Sequence, residues 1–150
     1  MMRIRHLAVL PFFLSTPVLA QTFEPGQWRS VTTVTKVQLN GGSAGPADAL
    51  IGSSTPVALC LTAEDLAARG PEALFTPSGH CAFSALDMDD GALSFRATCR
   101  QPGRSVEATM TGEGTYTATS YSAVAVTSIP TPDGPLTMEA EDTAERIGDC

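Results

Sequence analysis

The sequence predicts a mainly β domain: an antiparallel up-and-down meander, strongly curved or small and barrel-like, with one short helix and two disulfides. Three observations lead there. Residues 26–40 are rich in Thr, Val and Ser and alternate in polarity with a period of two. From His80 onward, alternating stretches are separated by Gly, Pro and Asp turn signals at short intervals. The cysteines are even in number, at positions 60, 81, 99 and 150.

The first strand carries Val31, Thr33, Thr35, Val37 and Leu39 on one face and Trp28, Thr32, Val34 and Lys36 on the other. Gly41 to Pro46 interrupts regular structure, and the aperiodic segment to Ser54 reads as a mobile loop. After the apolar run Pro56 to Leu61, Thr62 stands three positions before Asp65, a capping-box spacing that starts the helix. Gly70-Pro71 ends it, because Gly suits the position after a helix and Pro cannot continue one.

Asp89-Asp90-Gly91 signals a hairpin between residues 80–88 and 92–100. A three-residue turn places Cys81 opposite Cys99, Phe83 opposite Ala97 and Ala85 opposite Phe95. Directly opposed antiparallel residues come within disulfide reach at the narrow, non-hydrogen-bonded sites. This register predicts a Cys81–Cys99 bridge and leaves Cys60 to pair with Cys150. Turns at Pro102-Gly103 and at Gly112-Glu113-Gly114 carry the same apolar face through Val106, Ala108 and Met110, then Tyr116, Ala118, Val124 and Val126. Ser94, Arg96, Thr98, Arg100, Glu107 and Thr109 form the polar opposite face. Residues 129–135 read as a rigid loop, and 136–147 as a last strand with Met138 and Ala140 inward. Glu139, Glu141, Asp142 and Glu145 then make an acidic rim.

The N-terminus has the three-part layout of a secretory signal peptide: Arg3 and Arg5, an apolar stretch from Leu7 to Leu14, and the small-residue exit Val18-Leu19-Ala20. The apolar stretch is far short of the ~20 residues of a membrane span. Residue 21 is Gln, so the cysteine that would be lipid-modified in a lipoprotein is missing. Residues 1–20 are therefore expected to be cleaved, leaving 21–150 as a single domain in the periplasm with no stable membrane anchor. Arg3 and Arg5 leave with the signal, so sixteen acids face seven bases in the remainder. Such a surface repels phosphate backbones, and nucleic acid is not an expected partner.

Chemical motifs are sparse. His80 is the one histidine after residue 20, and no G-x-S-x-G pattern supplies a nucleophile for it to activate. Asp87-Met88-Asp89-Asp90-Gly91 resembles a calcium loop, but Ala92 falls where the loop needs Gly and Thr98 where it needs a bidentate acid. A hairpin turn explains these acids better. Met88, Met110 and Met138 are soft donors, yet dispersed strand methionines fill cores more often than they bind copper. The cysteines are 21, 18 and 51 positions apart, unlike the close pairs of a zinc site. No cofactor, metal or catalytic residue is expected, and the chain is not expected to be an enzyme.

Pro25-Gly26-Gln27-Trp28, Cys60-Leu61-Thr62 followed by Glu64 and Asp65, the spaced Cys81 and Cys99, Gly112-x-Gly114-x-Tyr116 and the terminal Gly148-Asp149-Cys150 together resemble one group of exported proteins of Gram-negative bacteria. This is the domain-of-unknown-function family 3617. The resemblance spans nearly all of residues 23–150 and implies a periplasmic β-rich domain with paired cysteines, without an activity.

Two function classes follow. A curved sheet can enclose a small apolar ligand, with Phe83, Phe95, Met110 and Tyr116 as lining candidates, although the same residues also suit an ordinary packed core. Alternatively, an exposed strand edge or the acidic rim meets an envelope protein.

Overall fold

The structure, a computed structural model, describes residues 22–75, 80–100, 103 and 105–150. The expected signal peptide lies outside these residues, as does Pro102 of the expected Pro102-Gly103 turn.

Seven antiparallel strands form one sheet: β1 (Gly26–Leu39), β2 (Ser54–Leu61), β3 (Cys81–Asp89), β4 (Ala92–Arg100), β5 (Glu107–Thr117), β6 (Ser120–Thr131) and β7 (Gly134–Gly148). Their order across the sheet is β2-β1-β7-β6-β5-β4-β3. Strands β3 to β7 run as the expected meander, and β7 then pairs with β1. The edges β2 and β3 are not paired to each other, so the sheet does not close into a barrel. Between them the chain forms α1 (Ala63–Arg69) and α2 (Glu72–Phe75).

Local chemistry fixes α1 as expected. The Asp65 amide donates to Thr62 Oγ1 and the Thr62 amide donates to Asp65 Oδ2, each at 3.0 Å, a complete capping box. The Thr62 hydroxyl and amide also hold the exposed Asp65 carboxyl below its ordinary value. Gly70, with φ +61°, ends the helix. Beyond the one expected helix, α2 forms because Ala73 and Leu74 bury in the core cluster. The segment read as a mobile loop contains a 3-10 helix, Gly45–Leu50.

The helix-bearing side is the inner face. Phe23 sits at its centre, 1% exposed, with ring centroids 5.4 Å from Trp28 on β1 and 6.0 Å from Tyr116 on β5. Strands β1 and β5 stand three places apart in the sheet, which is about 14 Å when flat. One ring reaching both indicates a sheet that curls around it. Phe75 of α2 likewise touches Phe83, Phe95 and Tyr121 on three strands.

Several expectations about register need correction. Cys81 does oppose Cys99, but the β3–β4 turn has two residues: Asp90 and Gly91, at φ +46° and +79°, and a bulge at Ser84 absorbs the difference. Ala85 therefore opposes Arg96, and Phe95 opposes Leu86. A bulge at Thr35 in β1 moves Val37 onto the face of Trp28, where it is 4% exposed. Residues 129–135 form a hairpin instead of a loop: Ile129 pairs with Leu136 and Thr131 with Gly134.

The largest departure concerns Gly112-Glu113-Gly114, which lies inside β5 and makes no turn. A Cβ on Gly112 would stand 2.2 Å from the Phe95 ring, and one on Gly114 2.1 Å from the Ser122 carbonyl. These glycines admit a ring and a neighbouring backbone. The turn falls instead at Ala118-Thr119, with Tyr116 opposite Tyr121. This reverses the faces of β6: Tyr121, Ala123 and Ala125 point inward, while Val124 (45% exposed) and Val126 point outward.

Both expected disulfides are present. Cys81–Cys99 staples the β3–β4 hairpin, and Cys60–Cys150 ties edge strand β2 to the residue beyond β7. Gln27 of β1 pairs with both Cys60 and Gly148, so the second bridge spans β1. It closes a 90-residue separation against 18 for the first. Replacing Cys60 and Cys150 with Ala should cost about 4–5 kcal/mol in reversible denaturation, and replacing Cys81 and Cys99 about 3 kcal/mol. Gly114→Ala should lose about 1–3 kcal/mol through overpacking. Gly42→Ala, whose Cβ would meet nothing closer than 3.8 Å, should be near neutral in the same denaturation measurement.

Candidate functional site

The inner face divides into two halves along its strands. In the closed half, Leu93, Phe95, Tyr116, Tyr121, Ala123 and Ala144 pack under Phe23 and α2. The chain entering β1 seals this end. Trp28 is fully buried, its indole N–H donating to the Glu24 carbonyl at 3.0 Å. The Glu24 amide donates to the Ala118 carbonyl at 2.8 Å. Gly26 leaves room for Arg146, whose Nε donates to the Pro25 carbonyl at 2.8 Å and whose guanidinium pairs with Asp149. The residues of the Pro-Gly-x-Trp opening and the Gly-Asp-Cys terminus thus build one structure.

The other half is only partly filled by the described residues, although Val37 of β1, paired with Met138, is buried there. Cys99 of β4, Ala108 of β5, Thr127 and Ile129 of β6 and Met138 of β7 line a hollow of about 350 Å³. Val106, Pro130, Thr131 and Pro132 form its rim. The volume falls in the range of small-molecule sites, ~300–1,000 Å³, and the walls are mainly apolar. Alternation brings these residues together: Cys99 opposes Ala108, and Thr127 opposes both Met110 and Met138.

The four lining candidates from the sequence do converge on the inner face. Phe95 and Tyr116 are buried in the core, and Phe83 and Met110 pack against it half-buried. Phe75 lies 6.2 Å from Phe83 and 5.7 Å from Phe95, ring to ring. Phe83 and Phe95 meet each other and Phe75, and Tyr116 meets Phe23, while the hollow lies farther along the strands. The sequence placed Cys99, Val106 and Ala108 on the apolar face and Met138 inward without naming them as a lining, and Thr127 and Ile129 went unnoticed, because Thr and Ile carry no chemical signature. Only the β5–β6 register, hidden by the misplaced turn, shows which of them share a face.

Between the halves lies a polar cluster that the sequence did not suggest. Asp142 was expected on an acidic rim, but it opposes Ala123 and faces inward. The Tyr121 hydroxyl donates to its Oδ2 at 2.7 Å and the Thr32 hydroxyl to its Oδ1 at 3.0 Å. Burial pushes the Asp142 carboxyl above its ordinary value, while the two hydroxyls favour the ionised form and pull the other way. Burial, then the Asp142 charge, raises the Tyr121 phenol far above its usual value. The arrangement is a charge held by two donors. A Tyr so hard to ionise serves as a hydrogen-bond donor, not as a base.

Elsewhere, His80 is exposed at the start of β3, its carbonyl accepting from the Arg100 amide. Asp87 and Asp89 are exposed on the outer side of β3 beside the tight turn. Among the described residues no three or more His, Cys, Asp or Glu side chains gather as a metal site. None of the described helices is long and apolar enough to cross a membrane.

The raised Asp142 carboxyl sets a pH dependence. The folded state holds this proton more tightly than the unfolded chain, whose carboxyl titrates near 3.8. The group's contribution to stability is therefore greatest below that value and falls as pH rises through the folded pKa. Subtracting the unfolding free energy of Asp142→Asn from that of the natural protein should isolate this decline from about pH 4 upward, flattening at higher pH. A rising difference over that window contradicts a desolvated carboxyl.

No curated protein and no solved structure matches the chain. Residues 23–150 match the family described as Protein of unknown function (DUF3617), and the chain belongs to that family.

Proposed function

We propose that this protein is an exported, non-catalytic binding module of the bacterial envelope that takes a small apolar molecule into the hollow of its inner face. The carrying observation is the contrast between the halves of one apolar face. Phe23 and Phe75 fill the first, whereas Cys99, Ala108, Thr127, Ile129 and Met138 surround about 350 Å³ in the second. An open apolar concavity of that size gains free energy when an apolar guest displaces water. The layout of residues 1–20 supports export, and paired cysteines suit an oxidising compartment.

A second reading has a specific observation in its favour. Edge strand β2 is exposed from Ser54 to Ala58, with Val57 at 40%, and offers its free side to a strand from an envelope partner. Pro56 within it blunts such pairing, which ranks this reading second.

Native mass spectrometry of the protein released gently from periplasm, followed by denaturing analysis, separates the two. A small molecule lost on denaturation is expected. Ala108→Trp should fill the hollow and abolish its retention by at least tenfold while preserving the far-ultraviolet circular dichroism of the sheet. A bare natural monomer, with no guest taken up on incubation with apolar probes, overturns the proposal and favours the strand edge.

A further inference from the structure

We infer that the guest is a single-chain amphiphile whose polar head carries no net charge, its tail in the hollow and its head laid over the rim onto the outer face. This inference rests on the binding reading above. The juxtaposition behind it is a second cavity: an outer trench of about 920 Å³ that shares Val106, Pro130, Thr131 and Pro132 with the hollow. Apolar and polar compartments thus meet at one rim, where a purely apolar guest would use only the first.

The rim suits the crossing of a chain. Pro130 and Pro132 have no backbone N–H to leave unsatisfied beside a hydrocarbon. The Thr131 hydroxyl donates to the Gly134 carbonyl at 2.6 Å, so its proton is engaged within the hairpin. Beyond the rim the described residues of the trench offer hydroxyls from Thr98, Ser105 and Thr109 and the ion pair of Arg100 with Glu107, directly opposed on β4 and β5.

That pair sets the charge of the head. Its two side chains are 76% and 45% exposed, so each can meet a ligand, and together they offer one positive and one negative group. An anionic head meets Glu107 and a chain whose residues 21–150 carry sixteen acids against seven bases; a cationic head meets Arg100. A zwitterion or an uncharged hydroxylated head satisfies both members and the hydroxyls without an unpaired charge.

The test uses titration calorimetry on the disulfide-bonded protein spanning residues 21–150, with four probes of one chain length below their micellar or solubility limits: decylphosphocholine, decyl glucoside, decyl sulfate and decan-1-ol, whose single hydroxyl is too small a head to span the rim and fill the trench. One-to-one binding of decylphosphocholine or decyl glucoside is expected, about tenfold or more tighter than decyl sulfate and decan-1-ol. The tighter of the two tells a phospholipid-like from a glycolipid-like head. Glu107→Gln leaves Arg100 without its partner and should narrow the preference over decyl sulfate by about threefold or more. Ala108→Trp should abolish binding of all four. Equal affinities for all probes, unmoved by Glu107→Gln, overturn the inference yet leave the hollow as a binding site. Absence of binding by every probe overturns both readings.

Discussion

The structure depends on the burial of one phenylalanine. An open seven-stranded sheet with one apolar face must cover that face, and the two short helices between β2 and β3 are too small to do so alone. Phe23 enters from the start of the described chain and contacts Trp28, Phe75, Tyr116 and Tyr121 with centroids between 5.4 and 6.1 Å. Everything that holds residues 23–28 in place serves this ring: the Trp28 indole on the Glu24 carbonyl, the Glu24 amide on Ala118, and Arg146 on the Pro25 carbonyl. The Cys60–Cys150 bridge fastens the strands on either side of β1 at the same end. The landmarks that carry the family resemblance are therefore mostly parts of one closure.

Closing one end leaves the other open. The strands are long enough for two tiers of inward side chains, but Phe23, α1 and α2 reach only one tier. The second tier is built from Cys99, Ala108, Thr127, Ile129 and Met138. These side chains leave space where aromatic rings fill the first tier, and a hollow results without any single unusual residue. Asp142 stands near the boundary, satisfied by Tyr121 and Thr32, so the sheet carries a buried carboxyl without an unpaired charge. Both the open tier and the buried carboxyl depart from the rule that an apolar face should simply be covered, and such departures are where function is most often found.

The hairpin β3–β4 illustrates how much local sequence can carry. The turn length was misjudged by one residue, yet the Cys81–Cys99 pairing held because the Ser84 bulge compensates between the turn and the bridge. At β5–β6 nothing compensates. Reading Gly112-Glu113-Gly114 as a turn put Val124 and Val126 inside, whereas the glycines are small because Phe95 and the β6 backbone press on them. A glycine looks the same in sequence whether it serves a turn or a close approach. The same limit hid Asp142, since a carboxylate on an amphipathic strand reads as solvent-facing until its cross-strand partners are known.

By itself, then, the sequence determined the antiparallel meander, the two-faced alternation of most strands, the Thr62–Asp65 cap and the cysteine pairing. Most rest on neighbours a few positions apart or on a period of two, and the Cys60–Cys150 pair, 90 positions apart, follows by elimination once Cys81 and Cys99 are joined. The tertiary structure decided the inward turn of Asp142, the faces of β6, the existence of α2, the failure of the sheet to close, and the division into a packed and an open half. These depend on contacts between residues distant in the chain, where a one-residue shift exchanges inside for outside and only the packed partner reveals which was chosen.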